Sequence, residues 1–261
     1  MQTPSPAPGV QIADLLDDSA FARRHHHSRD KLQREEGLKR LARVFAERPE
    51  RILQELADVA LELCAADSAG ISVEEVAESK HDFRWVATSG KYVPLQNATL
   101  PYDFAPCGIC LARGRPQLFC VGQSFFDLLG VNADLVTDGM LIPWQVEDIR
   151  GTIWVVSHCE TEAFDRDDYE TVQSLADFAT IAVRHQHLQS LLIRRARAEA
   201  RASVVNELAH QINNPLQAIT NLLFIESQGE GEAKILAAEL AREVQRLTNV
   251  VVKLLVTTTL R

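Results

Sequence analysis

The hydrophobic positions of this chain follow a helical period near both ends and a strand period between them. Residues 29–66 carry apolar side chains at spacings of three and four, and Pro49 separates a first helical run from a second. Apolar and β-branched segments at 69–76 and 83–89 then predict two strands. Helical spacing returns after Asp165, where acidic residues favour a helix start.

The strongest strand signals lie at 140–146 and 152–157, with a polar stretch over Glu147–Gly151 between them. This pattern predicts an antiparallel hairpin in the middle of a sheet. The order of these segments predicts an α+β fold over 29–185: helices, strands, a long irregular middle, further strands and a closing helix. We expect an antiparallel sheet with flanking helices.

The regions outside this domain have different compositions. Residues 1–28 contain Pro4, Pro6 and Pro8 among small polar residues, which predicts a flexible N-terminal tail. Residues 186–203 are rich in arginine and in good helix formers, which predicts a solvated connecting helix. Nucleic-acid contact by these arginines is a less favoured alternative.

Residues 204–261 predict two amphipathic helices joined by a short break at 227–232, and hence an antiparallel helical hairpin. The first apolar stripe is Val205, Leu208, Ile212, Pro215, Ile219 and Leu222; the second is Leu236, Leu240, Val244, Leu247, Val251, Leu254 and Thr258. An isolated helix pair buries little surface, so two chains are expected to form a homodimer through a four-helix bundle.

Charge and composition narrow the partners and the location. The net charge is −9, from 27 basic and 36 acidic residues, which disfavours a broad nucleic-acid-binding surface. No apolar run is long enough for a membrane span, and the first residues lack the pattern of a secretion signal. We therefore expect a cytoplasmic protein. The cysteines are expected to be reduced core thiols: Cys64, Cys107, Cys110, Cys120 and Cys159.

Two short motifs raise the question of metal or redox chemistry. His25, His26 and His27 lie beside arginines and away from a carboxylate cluster, which favours a solvated surface run over a metal site. Cys107 and Cys110 form one CxxC pair without a second pair, whereas a typical zinc site needs four ligands. We favour core or pocket lining for this pair over redox sensing, and we predict no metal site.

His210 lies in the most specific segment, NELAHQINNPLQAIT at 206–220. It is off the apolar stripe and is expected to face water. Asn214 follows four residues later, and so lies on the same helix face one turn on. Pro215 removes a backbone donor and predicts a bend just after this pair.

Two segments resemble known domain families. Residues 200–261 resemble the dimerisation and histidine-phosphotransfer domain of two-component sensor histidine kinases, through ELAHQINNPL at 207–216. Residues 48–185 resemble a GAF sensor domain. That second resemblance rests on PCGICL at 106–111, RGRP at 113–116 and GTIWVV at 151–156.

The first resemblance implies that His210 is a phosphoacceptor and that Asn214 positions the water that hydrolyses a phosphorylated response regulator. The residue after the histidine is usually acidic in that family, but here it is Gln211, which is no base at neutral pH. Glu207 lies near the same face and is the candidate proton acceptor in its place.

The kinase resemblance also implies an ATP-binding domain with glycine-rich boxes after the helix pair. The only glycines after Gly151 are Gly229 and Gly231, so no nucleotide site is visible. We predict no cofactor in this chain, with ATP used only through a partner kinase domain. The expected function is two-component signal transduction, with a response regulator or a partner histidine kinase as partner. The alternatives are a non-catalytic dimerising scaffold or inhibitor of sensor kinases, and a fragment of a complete sensor histidine kinase.

The second resemblance implies a sensor pocket that could take a small ligand. Its candidate lining is Trp85, Tyr102, Phe104, Cys107, Cys110, Phe119, Trp144 and Trp154. These aromatic side chains fit a filled core equally well, and the sequence leaves both alternatives open.

Overall fold

The computed structural model describes residues 4–27, 29–77, 80–226, 240, 242–247 and 249. It divides into two compact units, Met1–Leu188 and Gln189–Arg261. The first unit is built on a seven-stranded sheet, and the long helix Arg166–Glu226 begins in this unit and ends in the second.

The helices and strands follow the chain in this order: β1 (Val10–Asp14), α1 (Lys31–Glu47), α2 (Ile52–Leu63), β2 (Ser68–Ala77), β3 (Lys80–Gly90), β4 (Thr99–Pro101), α3 (Pro106–Arg113), β5 (Gln117–Val121), α4 (Gln123–Leu129), β6 (Val136–Val146), β7 (Ile149–Ser157) and α5 (Arg166–Glu226). The strand order across the sheet is β1-β5-β6-β7-β2-β3-β4, and each neighbouring pair is antiparallel. The predicted α+β class with an antiparallel sheet and flanking helices is confirmed.

The predicted central hairpin is confirmed as β6 and β7. Val146 pairs with Ile149, so the turn is shorter than the predicted five residues and consists of Glu147 and Asp148. Glu147 has a positive φ of 52°, which lets the chain reverse within two residues. The irregular middle is a wrong prediction, because that stretch contains β4, α3, β5 and α4. These elements have three to eight residues each, too few to show a clear period.

The two faces of the sheet pack against different elements. Side chains alternate along β6, so that Ile142 joins the cluster formed with α1, α2 and the start of α5, whereas Leu141 joins the cluster formed with α3 and α4. Val155 and Val156 divide in the same way on β7. We call these the helical face and the cavity face.

The segment before α1 is part of the domain, so the flexible tail predicted for residues 1–28 is wrong for residues 4–27. Strand β1 pairs with β5 along its whole length, from Val10 opposite Val121. The Arg24 guanidinium donates to both carboxylate oxygens of Asp138 at 2.7 and 3.0 Å. The proline-rich composition could not reveal these partners, because they lie more than a hundred residues away in the chain.

The first turn of α5 is capped by two carboxylates. Asp165 Oδ1 accepts the backbone N–H groups of Asp167 and Asp168 at 2.8 and 3.0 Å, and Asp168 Oδ2 accepts the N–H of Asp165 at 3.2 Å. This reciprocal arrangement satisfies donors that a helix start leaves free. Arg29 binds the Asp168 carboxylate through two nitrogens at 2.9 Å, and His27 donates its backbone N–H to Asp165. The helix start predicted from these aspartates is confirmed.

All five cysteines are free. The prediction of core thiols is confirmed for Cys64, Cys107 and Cys110, which are buried, and is wrong for Cys159, which is exposed in the turn after β7. Cys120 is partly buried. Burial raises the pKa of Cys107, and raises those of Cys64 and Cys110 well above the ordinary thiol value. These three thiols therefore hold little reactive thiolate at neutral pH.

In the second unit, α5 is helical through the predicted connecting segment 186–203 and contains Pro215. Residues 242–247 are also helical. The break predicted at 227–232 and most of the second predicted helix lie outside the described residues, so the helical hairpin and the four-helix bundle remain predictions. No helix in the described part of the chain is both long and apolar enough to cross a bilayer.

Candidate functional site

The cavity face of the sheet encloses a cavity of about 130 Å³ beneath α3 and α4. Six aromatic residues line it: Trp85, Tyr92, Phe119, Phe125, Phe126 and Trp154. The rest of the wall consists of aliphatic side chains with Pro106, Cys107 and Thr99. A concave apolar pocket of this kind, in a fold whose opposite sheet face is filled by helices, is the leading candidate for a ligand-binding site.

Two tryptophans from neighbouring parts of the sheet form one wall. The ring centroids of Trp85 on β3 and Trp154 on β7 are 4.9 Å apart. Trp154 lies opposite Gly70, and a Cβ at that glycine would come within 2.3 Å of the Trp154 ring and 2.6 Å of the Ala87 carbonyl oxygen. The sheet therefore needs a residue without a side chain at this position to hold Trp154 where it is.

The electrostatic character of the cavity is uniform. None of the described residues that line it carries a charged side chain. The indole N–H groups of Trp85 and Trp154 are buried and have no hydrogen-bond partner within the described residues. A buried donor without a partner costs free energy, so the two indoles are a local cost of this packing.

The rim of the cavity is fixed by Tyr92 and His158. The Tyr92 hydroxyl donates to the carbonyl oxygen of Asp134 at 2.6 Å, and burial raises the pKa of this phenol. His158 Nδ1 lies 2.6 Å from the Leu135 carbonyl oxygen, and its ring is 4.6 Å from the Tyr92 ring. A carbonyl only accepts, so Nδ1 carries a proton and Nε2 is the atom 2.8 Å from Ser68 Oγ. These contacts hold the segment before β6 against the cavity wall.

A small hydroxyl cluster adjoins the cavity at Cys107. Ser72 Oγ lies 2.7 Å from Thr152 Oγ1 and 3.5 Å from Cys107 Sγ. Because burial keeps the Cys107 thiol protonated, it offers the cavity a neutral and weakly polar surface.

The residues predicted from the sequence to line a sensor pocket separate into two groups. The cavity brings together four of them: Trp85, Cys107, Phe119 and Trp154. The other four lie elsewhere. Tyr102 stacks on His81 at 3.8 Å, Phe104 packs into the surrounding cluster, and Cys110 Sγ lies within hydrogen-bond distance of two backbone carbonyls. Trp144 lies on the helical face opposite Gly151.

Sequence reasoning did not identify Tyr92, Phe125, Phe126 or Leu129 as cavity residues. The segment QSFFDLL, from which three of them come, has the apolar spacing of a short helix. That signal was present in the sequence, but it lay within the stretch that we predicted to be irregular.

The residues expected to carry phosphotransfer lie on α5, in the second unit. Glu207, His210 and Asn214 are all exposed there. Gln211 Nε2 donates to Glu207 Oε1 at 3.2 Å. The Glu207 carboxylate, which we predicted as the proton acceptor for His210, is thus already hydrogen-bonded to Gln211, the residue that replaces the usual acid.

No three His, Cys, Asp or Glu side chains come together to form a possible metal site within the ranges that the structure describes. The histidine triplet instead lies beside the α5 carboxylates, with His26 Nδ1 3.4 Å from Asp165 Oδ2.

Comparison with known proteins identifies the domain. The GAF domain family model matches residues 48–183. Solved structures with a similar fold include the second GAF domain of DevS from Mycobacterium smegmatis (18% identity, 55% of this chain and 99% of that chain, TM-score 0.45). Another is free methionine-R-sulfoxide reductase from Neisseria meningitidis (20% identity, 64% and 99%, TM-score 0.47). A third is the GAF domain of a protein assigned as a sensor histidine kinase from Pseudomonas syringae pv. tomato (18% identity, 62% and 94%, TM-score 0.42).

Among curated proteins, no sequence match was found. The family match covers more than half of the 261 residues, and it includes six of the seven strands and the residues that line the cavity. This chain therefore belongs to the GAF domain family.

Proposed function

We propose that this protein is a cytoplasmic, dimeric signalling protein, in which the GAF domain senses a small ligand in its cavity and His210 accepts a phosphoryl group. Residues 204–261 would form the dimerisation and histidine-phosphotransfer hairpin. The single observation that carries the proposal is that His210 and Asn214 are both exposed, one turn apart, on the helix that begins in the GAF domain. Five free cysteines fit a reducing compartment.

The chemistry needs an exposed neutral imidazole. One ring nitrogen of His210 would attack the γ-phosphorus of ATP held by a partner kinase, forming a P–N bond while the P–O bond to ADP breaks. The other ring nitrogen then releases its proton to water or to Glu207. Because Gln211 binds Glu207, this release lacks a dedicated base, and we expect slow acceptance of the phosphoryl group.

The same arrangement favours hydrolysis of a phosphorylated response regulator over acceptance from ATP. The Asn214 amide can accept and donate hydrogen bonds to orient a water without taking its proton. This step needs no acid after His210, so Gln211 does not impair it.

The exposed apolar side chains of α5 support a dimer. Val205 is 63% exposed and Leu216 is 46% exposed in the single chain. Apolar surface of this kind is usually covered by a partner, and a second copy of the same helix offers the matching surface.

The test is to incubate the full chain with labelled ATP, first alone and then with candidate sensor kinases. We expect label only in the presence of a kinase, its loss in His210→Ala, and its retention in the control variant Gln217→Ala, which changes another exposed residue of α5. Gln211→Glu should increase labelling, because it restores an acid beside the imidazole. Label on the wild-type chain alone would refute the requirement for a kinase in trans.

A second candidate function follows from the Glu207–Gln211 contact. With the Glu207 carboxylate engaged by Gln211, His210 fits a non-catalytic scaffold or inhibitor whose helices pair with those of sensor kinases. Inhibition of a kinase by both wild type and His210→Ala, without labelling of either and without dephosphorylation of its regulator, would establish this function instead.

A further inference from the structure

We propose that the cavity binds the apolar tail of a non-anionic amphiphile, whose polar head stays in water at the mouth of the cavity. This inference rests on the proposed function, in which the cavity is the sensor site, and it assigns the chemical class of the ligand.

The cavity is partly open to solvent. Two of its lining residues are exposed, Thr99 and Val131, and Leu95, Ala98 and Leu129 are half-buried. These five residues belong to the segments 95–99 and 129–131, which we call the mouth of the cavity. Neither segment contains a charged side chain. A ligand in the cavity therefore has one part enclosed by protein and another part in contact with water.

The interior of the cavity, as far as the structure describes it, has little to offer a polar group. The indole nitrogens of Trp85 and Trp154 are buried and are out of reach of a ligand. The Tyr92 hydroxyl already donates to the carbonyl oxygen of Asp134, and the Cys107 thiol is only weakly polar. A polar group that leaves water without finding a partner costs free energy. An apolar tail is therefore the part of a ligand that fits inside.

The start of α3 also lines the cavity but provides little for an anion. Pro106 has no N–H group, and the N–H of Gly108 donates to the carbonyl oxygen of Ala105 at 3.0 Å. At most the N–H of Cys107 remains, whereas a buried ionised group needs a counter-charge or several donors. Because the described lining residues also carry no charged side chain, an anionic group does not belong in the interior.

The charges beside the mouth disfavour an anionic head as well. Burial raises the pKa of Tyr92, and the negative charge of Asp134 adds to that rise, so this carboxylate lies near the rim. The nearby Lys91 ammonium is 3.3 Å from a carboxylate oxygen of Asp67, which already balances its charge. Both ring nitrogens of His158 also have polar partners. A head without negative charge therefore suits the mouth.

Three compounds with the same chain length separate these requirements: 1-octanol, which has one hydroxyl head, 1,8-octanediol, which has a second hydroxyl at the far end of the tail, and octanoate, which has an anionic head. Binding to the full chain is measured by calorimetry. We expect 1-octanol to bind at least about tenfold more tightly than the diol, because the second hydroxyl would be buried without a partner. Octanoate should bind at least about threefold more weakly than 1-octanol, because the mouth has no free cation for it.

Tail length and a matched pair of variants test where the tail lies. Shortening the alcohol should weaken binding about fourfold for each methylene group removed. Leu129→Ala should weaken 1-octanol several-fold, because Leu129 lines the mouth. Leu128→Ala is the control and should leave the affinity unchanged, since Leu128 is the preceding residue of α4, is 57% exposed and is not part of the lining.

Thiol protection in the wild-type chain tests the same location without relying on a variant that folds. Cys107 lines the cavity, whereas Cys64 is buried in the helical face. 1-Octanol should slow the modification of Cys107 by a small neutral thiol reagent and leave that of Cys64 unchanged, as measured by peptide mass spectrometry. No protection of Cys107, or equal protection of both thiols, contradicts the proposal.

Three other results overturn the proposal. The diol binding as tightly as 1-octanol would show that the interior accepts a polar group. Octanoate binding more tightly than 1-octanol would show that the mouth favours an anion. Equal losses in Leu129→Ala and Leu128→Ala would show that the tail is not held at the mouth.

The outcome separates this inference from the signalling role. 1-Octanol that binds as described but leaves His210 labelling by a partner kinase unchanged contradicts the sensor function and supports the ligand class. Failure of the alcohols to bind contradicts the ligand class, while the labelling of His210 is measured independently of it.

Discussion

The two faces of the central sheet are built from the same strands but are filled in different ways. On the helical face, α1, α2 and α5 bring long rows of buried side chains against residues such as Ile142 and Val155. On the cavity face, α3 and α4 have only eight and seven residues, and the space above Leu141 and Val156 stays partly empty. The tryptophans show the same contrast. Trp144 and Trp154 each lie opposite a glycine, and of these two Trp154 is the one that lines this cavity.

This difference teaches that burial alone does not mark a functional site. Leu141 and Ile142 are both at most 1% exposed. The elements packed on each face of the sheet decide that Leu141, and not Ile142, lines this cavity. Long amphipathic helices can fill a sheet face continuously, whereas short helices and loops leave gaps. The gap is where a ligand can enter without displacing the core.

The largest expected effect comes from truncating neighbouring residues of β6. Ile142→Ala should lower the free energy of unfolding by about 4 kcal/mol, because it opens a new void in a filled core, whereas Leu141→Ala should cost only about 2 kcal/mol, since its side chain already borders empty space. Urea unfolding followed by tryptophan fluorescence measures both values. Equal losses would show that the two faces are equally well packed.

Adding one methylene group on each side of β7 should change the free energy of unfolding differently on the two faces of the sheet. Val155→Ile should cost about 1 to 2 kcal/mol through overpacking. Val156→Ile should cost nothing or stabilise by up to about 0.8 kcal/mol, because the extra group enters the cavity. A loss of stability in both variants would argue against a pre-formed cavity.

The packing of the helical face also depends on the N-terminal cap of α5. Burial raises the pKa of Asp165, but the backbone N–H groups of His27, Asp168 and Asp167 outweigh this and hold its pKa below the ordinary value. Its carboxylate therefore contributes stability above about pH 3.9, and that contribution is lost as the pH falls through the lowered pKa.

Asp165→Asn should accordingly cost about 1 to 2 kcal/mol at pH 7, because an amide cannot accept from both sides of the cap. The difference from wild type should shrink below about pH 3. Asp167→Asn is the control, since that side chain is 55% exposed. Thermal unfolding across the acid range measures this effect, and a difference that grows as the pH falls would contradict the assigned sign.

The smallest effect expected concerns thiol access on the two faces. Cys107 lines the cavity, whereas Cys64 is buried in the helical face. With Cys120 and Cys159 replaced by serine, a small neutral thiol reagent should modify Cys107 several times faster than Cys64, as measured by peptide mass spectrometry. Equal rates would contradict the difference in access between the cavity face and the helical face.

Much of the fold was predictable because it depends on local periods. Long helices with spacings of three and four, and strands of nine residues or more, display enough positions to identify them, as β6 and β7 did. The region of α3, β5 and α4 was missed because each element is too short to show its period. The same limit hid Phe125 and Phe126 from the candidate pocket, although they lie only a few residues beyond Phe119.

The sequence by itself determined the class of the domain, the central hairpin, the start of α5 and the motif around His210, because each depends on neighbours within a few residues of one another. Only the tertiary structure decided that residues 4–27 join the sheet domain, through partners such as Asp138, Asp165 and Asp168. It also decided which aromatic residues surround a cavity and which fill a core. Those outcomes depend on contacts between distant parts of the chain, where a one-residue alternation along a strand sends Leu141 to the cavity face and Ile142 to the helical face.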